Sequence, residues 1–178
     1  MISTLDAFLY GYKPAFLINP EYSSLYDKSN LEKLDSYPTL PVQVYDMDQH
    51  LYFQTEELKE HFKTSTHDAD PNSPKFHYKL GLALGFPPKA CKFYSATFDE
   101  DKSDNPERVS IHFCGISFVS HITDIKDNIQ WMWDNIQIPS QYIEKTRVCY
   151  DFQFDTYNTH QLDQVHSHLE SALEIQRT

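Results

Sequence analysis

Two stretches of the chain alternate polar and apolar residues in a way that would gather reactive side chains on one surface. In Val109-Ser-Ile-His-Phe-Cys114, the residues Val109, Ile111 and Phe113 share one side, leaving Ser110, His112 and Cys114 on the other. In Arg147-Val-Cys-Tyr-Asp-Phe-Gln-Phe154, Val148, Tyr150, Phe152 and Phe154 share a side, opposite Arg147, Cys149, Asp151 and Gln153. If these two strands pair with their apolar sides together, an imidazole, two thiols and a carboxylate meet on one face, at cross-strand Cβ separations of about 5 Å. Such a set supports two kinds of chemistry. His112, Cys114 and Cys149 are the donor types of a zinc site. Alternatively, His112 acts as the base for a thiolate at Cys114 or Cys149, with Asp151 orienting the ring. The plain structural alternative is a half-exposed sheet face, on which a free cysteine is a small hydrophobe.

Other constellations carry less. His160, His166 and His168 fall near the C-terminal end, but residues two apart on a helix point in different directions, so His166 and His168 share no face. Asp46-x-Asp48 lacks the glycine and terminal glutamate of a twelve-residue calcium loop and fits a hairpin turn instead. No G-x-S-x-G elbow occurs. Trp131-Met-Trp133 with Tyr142 forms an aromatic patch. Because positions i and i+2 diverge on a helix, one tryptophan can be buried while the other anchors a protein partner; packing of both in the core is the alternative.

Elements that could hold these residues are legible. Lys13-Pro14 breaks the apolar N-terminal segment, and a short helix is expected within residues 22–41. Val42–Tyr45 and His50–Phe53 flank Asp46-Met-Asp-Gln as a hairpin. Thr55 caps a helix through Phe62, and Ser73-Pro74 starts another that ends at Gly85. Pro87-Pro88 opens a third through Tyr94. Gly115 reads as a bulge or bend after the first alternating strand. Ile125, Ile129, Met132, Trp133 and Ile136 recur at helical spacing, and a final amphipathic helix is expected from about Thr159. The sum is an α+β fold, a small, mainly antiparallel sheet with helices packed on one face, forming a single domain over residues 1–178.

Composition limits what such a fold can do. Glycine occurs only 4 times, at positions 11, 81, 85 and 115, which cannot compose a glycine-rich phosphate loop. The formal charge of −11 argues against binding a nucleic-acid backbone, which rests on Lys and Arg displacing counterions. Imitation of nucleic acid would need acid on one face, yet the run Asp99-Glu-Asp101 with Asp104 and Glu107 is interrupted by Lys102 and Arg108. Three cysteines at wide spacing make no disulfide framework and suit a reducing cytoplasm. The N-terminus lacks the basic start of a signal peptide, and the apolar run Leu80–Phe86 is too short to span a membrane.

Tyr10-Gly-Tyr-Lys-Pro-Ala-Phe-Leu17 and His77-Tyr-Lys-Leu-Gly-Leu-Ala-Leu-Gly-Phe-Pro87 resemble two segments of an uncharacterised family of small bacterial proteins, a domain of unknown function. The resemblance implies a bacterial, cytosolic protein and no particular reaction. Physically, Gly81 and Gly85 lie four apart on a helix and clear one face for a close neighbour, with Gly85-Phe86-Pro87 reversing the chain. The functional expectation is a small acidic cytoplasmic protein, of bacterial, phage or mobile-element type, that acts by binding another protein through Trp131, Trp133 and Tyr142. The alternative is a metal- or thiol-dependent enzyme at His112, Cys114, Cys149 and Asp151, with zinc as the metal.

Overall fold

The computed structural model describes residues 2–100, 105, 107–137, 146–150, 153–157 and 161. Helix α1 (Thr4–Leu9) is capped by Ser3, whose Oγ accepts from the amide of Asp6, and strand β1 (Ala15–Ile18) follows the Lys13-Pro14 break. Two 3-10 turns and the short helix α2 (Lys28–Glu32) lead to the hairpin β2 (Thr39–Val44) and β3 (Met47–Phe53). Its connector is shorter than the sequence suggests: Tyr45 and Asp46 alone make the turn, both left-handed at φ 52° and 60°. β3 is the centre of this sheet, antiparallel to both β1 and β2, with Ala15 opposite Phe53 and Val44 opposite Met47.

Three helices come next. α3 (Glu56–Thr66) is capped by Thr55 and runs four residues past Phe62. α4 (Pro74–Ala83) starts at Ser73, whose Oγ accepts from the Phe76 amide at 3.2 Å. Its end is a Schellman closure in which the Phe86 amide donates to the Gly81 carbonyl and the Gly85 amide to that of Leu82. Gly85 has φ +82°, and a β-carbon there would meet Pro14 Cδ at 2.7 Å, so both conformation and space require glycine. α5 (Pro88–Thr97) extends three residues past Tyr94.

The second sheet contains β4 (Arg108–Phe113), β5 (Ile116–His121), β6 (Thr146–Tyr150) and β7 (Gln153–Tyr157) in the order β5-β4-β6-β7, all antiparallel. α6 (Ile125–Asn135) follows β5. The expected single strand over 147–154 is therefore two strands, with Tyr150 opposite Gln153. Of the bulge or bend expected at Gly115, the chain makes the bend, a two-residue turn with Cys114. The expected helix from Thr159, with His160, His166 and His168, lies outside the described residues apart from Gln161.

The chain is thus α+β, with two antiparallel sheets where one was expected. Val109, Ile111, Phe113, Ile116 and Phe118 turn one face of the second sheet onto α5 and α6, where Ala90, Ile129 and Met132 meet them. The first sheet is covered on both faces. Leu51 and Phe53 pack against Phe62, Phe76 and Leu80, while Phe16 and Ile18 pack against Leu5, Phe8 and Leu34. Phe86 packs against the cores of both sheets and so joins them. Among the described residues, no helix is long and apolar enough to cross a membrane.

Candidate functional site

The pairing on which the His/Cys/Asp reading depends is present. β4 lies against β6 with Ser110 opposite Cys149 and His112 opposite Arg147, so His112 and Cys149 share the half-buried outer face of the sheet. His112 Nδ1 is 2.8 Å from Ser117 Oγ on β5. Burial, and after it the charge of Arg147, holds the imidazole below its ordinary pKa, which leaves it neutral at pH 7.

Cys114 is not on that face. Alternation stops at Phe113, and Cys114 turns at φ 48° into the hairpin connection, where its side chain joins the core around Ile116 and Met132. Burial pushes its thiol up to about 11, which keeps it protonated at neutral pH. Cys91, buried under α4, is pushed up to about 12. Asp151 lies outside the described residues. His112 and Cys149 are thereby brought together and Cys114 is not. Among the described residues, no group of three or more His, Cys, Asp and Glu side chains is placed to hold a metal ion.

The tryptophans flank the buried stripe of α6, one on each side of the fully buried Met132. Each is consequently half-buried, and both pack against the core of the second sheet, with neither ring fully exposed. Trp133 Nε1 is enclosed without a hydrogen-bond partner. Trp131 walls a surface groove of about 390 Å³ with Pro87, Pro88 and Lys89, where Lys89 Nζ lies 2.5 Å from Asp127 Oδ2. Tyr142 lies outside the described residues.

A different site emerges between the two sheets. A cavity of about 310 Å³ is walled by Leu17 of β1, Val44 of β2, Leu80 of α4, Phe86, Cys91 of α5 and Phe118 of β5. Among the described residues, no lysine, arginine, aspartate or glutamate lines it, but Lys13 lies against the ring of Phe86 and Arg108 against that of Tyr94, behind the wall. Its polar groups are few, and most are engaged. Tyr45 and Tyr94 hydrogen-bond through their hydroxyls, Ser117 Oγ pairs with His112, and Cys91 Sγ donates to the Phe86 carbonyl at 3.5 Å. Burial and the bond to Tyr94 push the Tyr45 phenol above its ordinary value.

One exception is His77, which is 3% exposed and whose Nε2 is enclosed with no hydrogen-bond partner. Its ring lies among aromatic faces, stacked on Tyr45 with centroids 5.1 Å apart and 4.3 Å from the Phe98 centroid. Burial holds its imidazole below the ordinary value, so it is neutral at pH 7. An unpaired polar atom in an apolar enclosure costs about 1–3 kcal/mol.

Comparison with known protein families, characterised proteins and solved structures returns no match. The two segments quoted above for their resemblance to a family do, however, pack on one another. Lys13 Nζ sits 5.5 Å from the Phe86 ring centroid, and Pro14 abuts Gly85. Both segments border the cavity, since Leu17 lies in the first, and His77, Leu80 and Gly81 in the second. Among these, the sequence reading gave His77 no role. The signal for it was the helical stripe Phe76, His77, Leu80, Gly81 and Leu84, which puts a histidine where the neighbours are apolar.

Proposed function

We propose that this is a binding protein, and that its working site is the cavity between the sheets, which takes up a small, mostly apolar molecule. The observation that carries the reading is the cavity itself: about 310 Å³, with largely hydrocarbon walls and a few polar side chains, Gln49, His77 and the hydroxyl-paired Tyr45 and Tyr94, among them. That combination matches ligand pockets, which run from about 300 to 1,000 Å³ and pair apolar walls with a few convergent polar groups. The enzyme reading at His112, Cys114, Cys149 and Asp151 has less support, because Cys114 packs into the core and its thiol is protonated at neutral pH.

Toluene is the simplest probe. Titrated into the protein, it is expected to shift the methyl resonances of Leu17, Val44, Leu80 and Leu84 to saturation. Val119→Trp, at a half-buried position of the wall, should reduce that response severalfold while leaving the remaining methyl spectrum dispersed. Methyl resonances that stay in place up to the solubility of toluene would sink the reading.

A second reading, a protein partner at the Trp131 groove, is favoured by the half-buried tryptophan set beside Pro87 and Pro88. On that reading, a partner captured from host lysate by the wild type is lost with Trp131→Ala and retained with Val119→Trp. Equal capture by all three proteins would show that Trp131 only packs.

A further inference from the structure

Resting on the cavity as the working site, we infer that Gln49 is its specificity residue, and that the ligand is a mostly apolar molecule bearing a carboxamide, which pairs with the Gln49 side chain through two hydrogen bonds.

Placement sets the first constraint. Along β3, alternation puts Gln49 on the same side as the core residues Leu51 and Phe53, while Asp48 and His50 on the other side are exposed. Gln49 is 9% exposed, lies opposite Val42 in the hairpin, and lines the cavity together with Val44. A glutamine at a core position is costly unless its amide is paired. Among the described residues, the Gln49 side chain has no hydrogen-bond partner, and unlike His77 Nε2 its amide atoms are not enclosed, so a guest can reach them.

Partner chemistry sets the second. Tyr45 is bonded to Tyr94, Ser117 to His112 and Cys91 to the Phe86 carbonyl, which leaves the Gln49 amide to receive the polar group of a guest. That amide presents N–H donors beside a carbonyl acceptor. Its complement carries the same two functions side by side, and a second carboxamide meets it in either orientation of the glutamine. A carboxylate is the competing group, since Lys13 and Arg108 behind the Phe86 and Tyr94 rings attract an anion. It matches only the donor half of Gln49, because its second oxygen would face the glutamine carbonyl. Size sets the third. An apolar cavity of about 150 Å³ accepts benzene, so one of about 310 Å³ has room for a ring with a carboxamide attached.

The test titrates benzamide, benzoate and toluene, which share a phenyl ring and differ in what it carries, by calorimetry and NMR. Gln49→Met keeps the length of the side chain and removes its amide. Benzamide is expected to bind the wild type and to lose about tenfold in affinity in Gln49→Met, the worth of hydrogen bonds to an otherwise unpaired buried group. Toluene should bind the variant at least as tightly as the wild type. A second readout needs no variant: in the wild type, the N–H protons of benzamide should give NOEs to the Gln49 side-chain amide and to the Val44 methyls. Absence of benzamide binding where toluene binds, or an affinity unchanged in Gln49→Met, would overturn the carboxamide assignment and leave the cavity reading standing. So would tighter binding of benzoate than of benzamide, or NOEs confined to Pro41, Gln43 and His50, which line a groove on the other side of the hairpin. Failure of benzamide and toluene alike would bring down both.

Discussion

Gly115→Ala is expected to lose about 3–5 kcal/mol of stability, a large share of the about 5–15 kcal/mol that domains of this size have in total. Two effects add. Gly115 has φ +80°, a conformation that costs a residue with a β-carbon about 1–2 kcal/mol. The added β-carbon would also sit 2.5 Å from the Ser3 carbonyl oxygen and 3.0 Å from Ala7 Cβ. Those atoms cap and build α1, so the helix would have to leave its seat on the β4–β5 hairpin. Gly11 provides the matched control, because its φ is +78° but nothing lies within 4 Å of the β-carbon it would gain. Urea denaturation of both alanine variants separates the effects: Gly11→Ala should lose about 1 kcal/mol, the conformational part alone. Equal losses would show that the contact with α1 is unimportant.

Lys13→Met is expected to stabilise the protein by about 2 kcal/mol at pH 7. Lys13 is 3% exposed, and burial lowers its ammonium from the ordinary 10.5 to about 8. At about 1.4 kcal/mol per pKa unit, keeping it charged in the folded state costs about 3 kcal/mol, of which the Phe86 ring returns part. The sign of the pH dependence follows. Between pH 8 and 10.5 the unfolded chain holds the proton that the folded chain has released, so this residue makes wild-type stability rise with pH across that window. Below pH 8 both states are protonated and the cost is constant. Denaturation midpoints from pH 7 to 10 should show the rise in the wild type and its loss in Lys13→Met. A variant less stable than the wild type at pH 7 would mean that the ammonium contributes more than burial takes away.

What the sequence made legible was local. Thr55 and Ser73 announce helix starts because a hydroxyl accepting an amide three residues on needs no other part of the chain. The alternation in 109–113 gives the strand and its faces for the same reason. Two-residue turns escaped because they usually show as Asn-Gly or Asp-Gly. This chain uses Tyr45-Asp46 and Cys114-Gly115, and only residues 151–152 separate β6 from β7. An alternating pattern therefore seemed to run on through Cys114 and through 147–154. The proposed site was harder still, since its walls come from β1, β2, α4, α5 and β5, and no spacing along the chain encodes their meeting. The histidine in its wall stood in plain view on an apolar stripe, but a buried histidine becomes notable only when its partners can be counted.

The Tyr45-Asp46 turn has a kinetic consequence. Two side-chain-bearing residues in left-handed conformations hold about 1–2 kcal/mol of backbone strain each, and the anchors opposing it come from outside the hairpin: the Tyr94 hydroxyl, the His77 ring and Asn72, which donates to Asp46. The tip is thus held by contacts from outside the hairpin, and their release would uncover His77 without unpairing the strands behind it. Amides there would exchange with solvent by a local opening of low free energy, far below that of global unfolding. On the proposed cavity reading, the residence time of a guest would be set by that one hairpin rather than by the stability of the whole fold.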